Sequence, residues 1–186
     1  MAVLNVNPTR MELTRLKKQL ATALRGHKLL KDKRDELMRQ FLDMIRETKT
    51  LREEVEERLK SVNNDFVLAS SVMSKEELDT ALLAPKQEVY LAASTRNVMS
   101  VDIPVYSFKT RTSEQSDIFS YGFASTSFEL DDAVSGLSDL LPKMLKLAEM
   151  EKSVKLMADE IEKTRRRVNA LEHVMIPRYQ ETIHFI

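Results

Sequence analysis

The 186-residue chain has no cysteine and no tryptophan, and only three glycines and five prolines. Without cysteine there is no disulfide framework, no thiolate-bound zinc, no iron–sulfur cluster and no thiol nucleophile, a usage that fits a reducing compartment. The glycines, Gly26, Gly122 and Gly136, are too few and too scattered for a G-x-x-x-x-G-K-[ST] or G-x-G-x-x-G phosphate cradle. The histidines, His27, His173 and His184, have no H-E-x-x-H spacing. Uncharged stretches fall far short of the roughly 20 apolar residues that a membrane helix needs, and MAVLNVNPTR lacks the apolar core and cleavage site of a signal peptide. The expectation is a chain with no catalytic residue, no cofactor, no metal and no direct membrane insertion. Net charge is missing too: 29 Lys plus Arg balance 29 Asp plus Glu. The chain as a whole therefore advertises neither nucleic acid nor an anionic surface.

What is present is helix-forming. Charged residues make up 31% and aromatics 6%, the usage of coiled coils and long helices. Thr9 and Glu12 form a T-x-x-E capping box. From Leu13, steps of three and four run through Leu16, Leu20, Ala23, His27, Leu30, Arg34, Leu37, Phe41, Met44, Thr48, Leu51, Val55, Arg58 and Val62, with eleven of these fifteen positions apolar. A 3.5-residue repeat held this long is a coiled-coil seam. The polar members His27, Arg34, Thr48 and Arg58 read as register-setting residues or as local departures toward another subunit. A second seam runs through Leu147, Met150, Val154, Met157, Ile161, Thr164, Val168, Leu171 and Met175. Its start is ambiguous: Ser127 to Leu141 looks helical, yet Gly136 and Pro142 interrupt it, and Ser138 or Asp139 can cap a fresh helix. Pro177 should kink or end the far side. Each seam needs a partner, and the simplest is the other, folded back antiparallel with facing residue numbers adding to about 200.

Between them the pattern changes. Ser74 and Glu77 make another capping box, so SKEELDTALL forms a short helix ended by Pro85. Val89, Leu91 and Ala93, then Val101, Ile103 and Val105, alternate with period two across a turn at Thr95-Arg96-Asn97, the pattern of a β-hairpin. Residues 109–126 read as a loop with aromatic anchors. The expected fold is mostly α: a long antiparallel two-helix coiled coil with a small central module containing a short helix and a β-hairpin. The divisions are 1–72 (N-terminal coiled-coil helix), 73–138 (central module) and 139–186 (C-terminal coiled-coil helix).

Charge is uneven along this fold. Residues 10–34 hold nine bases against two acids, and residues 35–80 seven bases against twelve acids. After fold-back, Arg10, Arg15, Lys18, Arg25 and Lys28 should lie close to Arg165, Arg166 and Arg167, making one basic end. No aromatic interleaves these bases before Phe41, which argues against nucleic acid.

The stretches at 7–41 and 160–183, extended by STRNVMSVDIPV at 94–105 and LLPKMLKLAEMEKS at 140–153, closely resemble the D subunit of rotary V-type (V/A-type) ATPases, nearest the bacterial and archaeal branch. The resemblance implies a non-catalytic central rotor shaft. Its paired helices would enter a catalytic head of A and B subunits, contacted through the basic end. The F subunit of the V-type ATPase would bind its side, and a funnel-like subunit on the membrane ring would meet its lower end. It would couple ATP hydrolysis or synthesis to H⁺ or Na⁺ transport, as a cytoplasmic, peripheral part of a membrane-bound complex. In the family the last helix continues beyond the ETIHFI at 181–186. From the residues alone, the alternative is a structural coiled-coil scaffold or adaptor without ATPase association.

Overall fold

The computed structural model describes residues 4, 6–112, 114–122, 124 and 126–186. Parts of two expectations, the missing signal peptide (residues 1–3 and 5) and the loop at 109–126 (residues 113, 123 and 125), lie outside the described residues. The elements are α1 (Arg10–Val72), α2 (Lys75–Leu82), β1 (Val89–Val98), β2 (Val101–Thr110), a 3-10 turn (Gln115–Ile118), α3 (Phe128–Ala170), a π-helical turn (Leu171–Met175) and α4 (Ile176–Phe185). They divide into two compact units. Unit 1 holds the residues up to Asp43, Met99–Val101 and Lys155–Ile186; unit 2 holds Met44–Val98 and Asp102–Val154.

In unit 1 the first part of α1 packs antiparallel to the end of α3. Lys33 pairs with Glu160 at 3.4 Å and His27 with Glu172 at 3.3 Å, so rising numbers on one helix meet falling numbers on the other. Leu16, Leu37, Met157, Ile161, Thr164 and Val168 are buried, all of them expected seam positions. Burying a Leu or Ile side chain is worth about 1.5–3 kcal/mol, which is what holds two otherwise charged helices together. Beyond Val168 the seam shifts by one residue: Ile176 is buried and Met175 is 41% exposed. Pro177 is the reason. It has no N–H, and its ring crowds the carbonyl of His173 four residues back. Widening the turn relieves the crowding, and the Ile176 N–H reaches back five residues to the Leu171 carbonyl. His27 accordingly pairs with Glu172, while Val174 and Met175 are exposed.

In unit 2 the same antiparallel arrangement is marked by Arg52 with Glu151 at 2.5 Å and by Lys143 with Glu54. The facing numbers in both units total 193–203, as the seams require. Val55 is buried, but the next inward residue is Leu59, and Arg58 is exposed, its guanidinium 3.9 Å from Glu54. The strict heptad gives way here to the 3.6-residue period of a straight helix, so Arg58 is not a seam residue. Ala69, Met73, Ala81 and Leu130 form a buried cluster with Leu78, Tyr121 and Val134 packed against it. The cap of α2 is as expected: Ser74 accepts the Glu77 N–H, and the Glu77 side chain takes the Ser74 N–H at 3.0 Å.

Two expectations are corrected, the first in this unit. No fresh helix starts at Ser138 or Asp139; α3 begins at Phe128 and runs unbroken through Gly136 and Pro142. A Cβ at Gly136 would sit 2.8 Å from Val62 Cγ2, so this glycine lets α3 approach α1 closely and does not mark an end. Exposed Pro142 lacks one ladder hydrogen bond, yet buried Leu130, Ala133 and Leu140 before it and Ser153 after it hold the helix on course. The second correction is the hairpin turn. It falls at Met99-Ser100, both with positive φ (53° and 70°), and Thr95, Arg96 and Asn97 lie within β1. Extending the strand lets Asn97 Nδ2 donate to Asp102 Oδ1 at 2.6 Å across the pair. The hairpin's base is clipped by the Gln87 amide on Thr112, and its β2 strand by Glu149, which accepts the Tyr106 N–H at 2.6 Å.

Candidate functional site

All eight candidate basic residues fall in unit 1. Thr9 caps α1 by accepting the Glu12 N–H at 3.3 Å, but the Thr9 N–H goes to the Asn7 carbonyl and the Glu12 carboxylate turns to Arg15 at 3.1 Å. Helical spacing then puts Arg10, Arg15 and Lys18 round one open groove with Met11, Thr14 and Gln19. Further along, Arg25 Nε donates to the Ala21 carbonyl at 3.3 Å, and Lys28 points to solvent.

Arg165, Arg166 and Arg167 are exposed on α3, between the two glutamates that pair with Lys33 and His27. That places them at the level of Lys28 and Lys31. Arg10 is seventeen residues from His27, roughly 25 Å of helix. The structure therefore gathers Arg10, Arg15 and Lys18 in one groove and sets the three arginines several turns away, beside other bases.

Acids are threaded among them. Arg166 pairs with Glu162, Lys33 with Glu160, and both Nε and Nη2 of Arg34 reach Asp35 at 2.9 and 2.7 Å. The Arg39 guanidinium, with help from Gln40, holds the Glu36 carboxyl below its ordinary range. Even so, unit 1 has sixteen Lys and Arg against ten Asp and Glu, a balance of +6. Such a surface attracts anionic partners through many weak, salt-screened contacts.

The seam's polar residues are accommodated singly. His27 is bridged to Glu172, Arg34 swings to Asp35, and Thr48 Oγ1 donates to the Met44 carbonyl at 2.7 Å. Thr164 is fully buried, and its hydroxyl has no partner among the described residues.

Two features of unit 1 escape a reading of charge alone. Leu24, Leu29, Met38 and Leu42 are exposed among the bases, so the surface offers apolar anchors as well as charge. Ala23 and Gly26 on α1 face Leu171, Met175 and Tyr179 across a shallow groove beside the π-turn. The sequence signals for it are the small residues at 23 and 26 and the proline at 177.

Among the described residues no group of three or more His, Cys, Asp or Glu is placed to hold a metal ion, and no helix is long and apolar enough to cross a membrane. Antiparallel helix stretches joined through heptad seams, with an appended hairpin, define a helical-hairpin protein of the coiled-coil class. The family of ATP synthase D subunits matches residues 12–186. The V-type ATP synthase D subunit of Acetivibrio thermocellus is 63% identical over the whole chain, which spans 84% of that relative. The V-type ATP synthase D subunits of Clostridioides difficile and Clostridium novyi are 62% and 56% identical, with 83% and 87% of their lengths covered. The chain belongs to the family of V-type ATP synthase D subunits. ATP synthesis and ion transport are the work of that complex.

Proposed function

We propose that the chain is the central rotor shaft of its complex, non-catalytic itself, and that it couples ATP hydrolysis or synthesis in a head of A and B subunits to rotation of the membrane ring and H⁺ or Na⁺ transport. The observation that carries this reading is the family membership joined to a continuous 63-residue α1, seamed antiparallel to α3 in each unit. Torque is transmitted by stiff, interdigitated packing and needs no reaction centre. Unit 1 enters the head, where its bases and exposed leucines and methionines trade contacts with successive A and B subunits. Each exposed ion pair is worth roughly 0–1 kcal/mol, weak enough to be exchanged as the shaft turns. The F subunit binds the side of the helix pair, and the funnel-like subunit takes the end of the central module, residues 73–138. The shaft works as a cytoplasmic, peripheral part of the membrane-bound assembly.

The test is to fix an A/B head carrying this chain to glass, attach a bead to the chain and supply ATP. Continuous one-way rotation is expected. ATP hydrolysis with the chain stationary overturns the shaft and favours a static scaffold. The basic end is tested separately: replacing Arg165, Arg166 and Arg167 by Gln should weaken association with the head and flatten its salt dependence between about 50 and 300 mM, with little change in the thermal stability of the isolated chain.

A further inference from the structure

The buried residues of α4 are Ile176 and Thr182, and the π-helical turn before it has none. Thr182 is 0% exposed although it carries a hydroxyl. A buried hydroxyl is costly unless it is hydrogen-bonded, and this one is bonded twice. It donates to the Arg178 carbonyl of its own helix at 2.6 Å and accepts the N–H of Leu4, remote in sequence, at 3.1 Å. Thr164, also fully buried in unit 1, has no partner among the described residues, so burial of a threonine here does not by itself recruit a second segment.

The segment that supplies the Leu4 N–H is itself folded. Leu4 and Val6 are half-buried. The Val6 N–H turns back to the Leu4 carbonyl at 2.9 Å and the Thr9 N–H to the Asn7 carbonyl at 2.8 Å. Pro8, its φ fixed by the ring, has no N–H to satisfy. Thr9 then caps α1. Between its bond on α4 and the cap of α1, the backbone therefore makes two tight turns.

We infer that Leu4 and residues 6–9 form a strap that ties the start of α1 to α4 beyond the π-turn, with Thr182 as the positioning residue that holds it. The functional part rests on the shaft reading, in which unit 1 enters the head. An end already closed by its strap loses less conformational freedom on docking than one that must be ordered there, so the strap preorganises unit 1 for association with the head.

The strap is tested by amide hydrogen exchange on the full chain. In the parent, the Leu4 amide should exchange at least about tenfold more slowly than in a disordered peptide of the same sequence. Thr182→Val, which keeps the shape and loses the hydroxyl, should abolish that protection, and Thr182→Ser should keep it. Leu4→Pro removes the donor without touching α4, and decides the same question should Thr182→Val fail to fold. It should speed exchange across residues 178–186 about threefold or more, and adding Thr182→Val should change little further, as for two halves of one interaction. An unprotected Leu4 amide in the parent, protection that survives in Thr182→Val, or unchanged exchange over 178–186 in Leu4→Pro overturns the strap. The functional part is read as affinity for an A/B head. Leu4→Pro should weaken it about fivefold or more without altering its salt dependence, since no charge is changed. Equal affinity rejects the preorganising role. A parent chain that does not bind the head rejects the shaft reading instead, and the exchange result still decides the strap.

Discussion

Units 1 and 2 are built from the same two helices, yet they use glycine and proline in opposite ways. In unit 2, Gly136 is a contact residue: Val62 occupies the space a Cβ would take. In unit 1, Gly26 faces open space. Pro142 in unit 2 passes through α3 without a break, framed by fully buried Leu140 and by Leu130 and Ala133. Pro177 in unit 1 follows buried Ile176, and before that comes a π-turn, Leu171–Met175, with no buried residue. Charge divides the same way: +6 in unit 1 against thirteen Lys and Arg and nineteen Asp and Glu, a balance of −6, in unit 2. The lesson is that the same residue type leaves different marks on the two units: Pro142 sits two residues after fully buried Leu140 in an unbroken helix, and the turn before Pro177 holds no buried side chain until Ile176. Packing, more than propensity, sets where the pair is stiff.

The strongest way to break this comparison is to remove the packing that suppresses Pro142. Leu140→Ala should cost about 2–5 kcal/mol in urea unfolding and raise amide exchange around residues 138–146. A loss of stability without local exchange there would show that Leu140 does not hold the helix past its proline. Next in size, Gly136→Ala should destabilise by about 1–3 kcal/mol through overpacking against Val62, while Gly26→Ala should stabilise by up to about 1 kcal/mol. Two changes of the same sign would erase the contrast. Thr164→Val, which keeps the shape and removes a buried hydroxyl without a partner, should stabilise unit 1 by roughly 1 kcal/mol in the same assay.

The smallest effect concerns pH. The backbone N–H and hydroxyl of Ser74 hold the Glu77 carboxyl below its ordinary range. A depressed carboxylate contributes stability that is present above its unfolded value, near pH 4, and lost as pH falls through its lower folded value. The difference in melting temperature between parent and Glu77→Ala should therefore be constant from pH 7 to about 5 and shrink below pH 4. A difference that grows on acidification would mean that the cap does not stabilise through the charged form.

Much of this was legible in the sequence because heptad periodicity and capping boxes are local signals with a direct physical cause. Leu16, Leu37, Met157 and Val168 announced themselves by spacing, and Ser74 with Glu77 by identity. The hairpin turn was hidden because Thr95-Arg96-Asn97 has turn-like residues, whereas Met99-Ser100 carries neither glycine nor asparagine to advertise positive φ. The role of Gly136 depends on a side chain seventy-four residues away, beyond any local pattern. The candidate basic end was legible as composition but not as a cluster. Deciding whether Arg165 faces Arg10 or Lys31 needs the register to within a turn, and Pro177 and Arg58 are where the strict repeat fails.

The Met99-Ser100 turn makes the hairpin dependent on the helix beside it. A two-residue hairpin loop with both φ positive ordinarily relies on Asn-Gly to form by itself within microseconds. Met-Ser has no such preference, and each left-handed residue here costs of order 1 kcal/mol before any strand pairing is gained. What fixes the turn is α1, whose Gln40 Nε2 donates to Met99 Sδ at 3.7 Å, and the burial of Val101 at 5% exposure beside it. The hairpin therefore leans on its neighbour: its turn is held by contacts outside the two strands and not by the preference of its own residues.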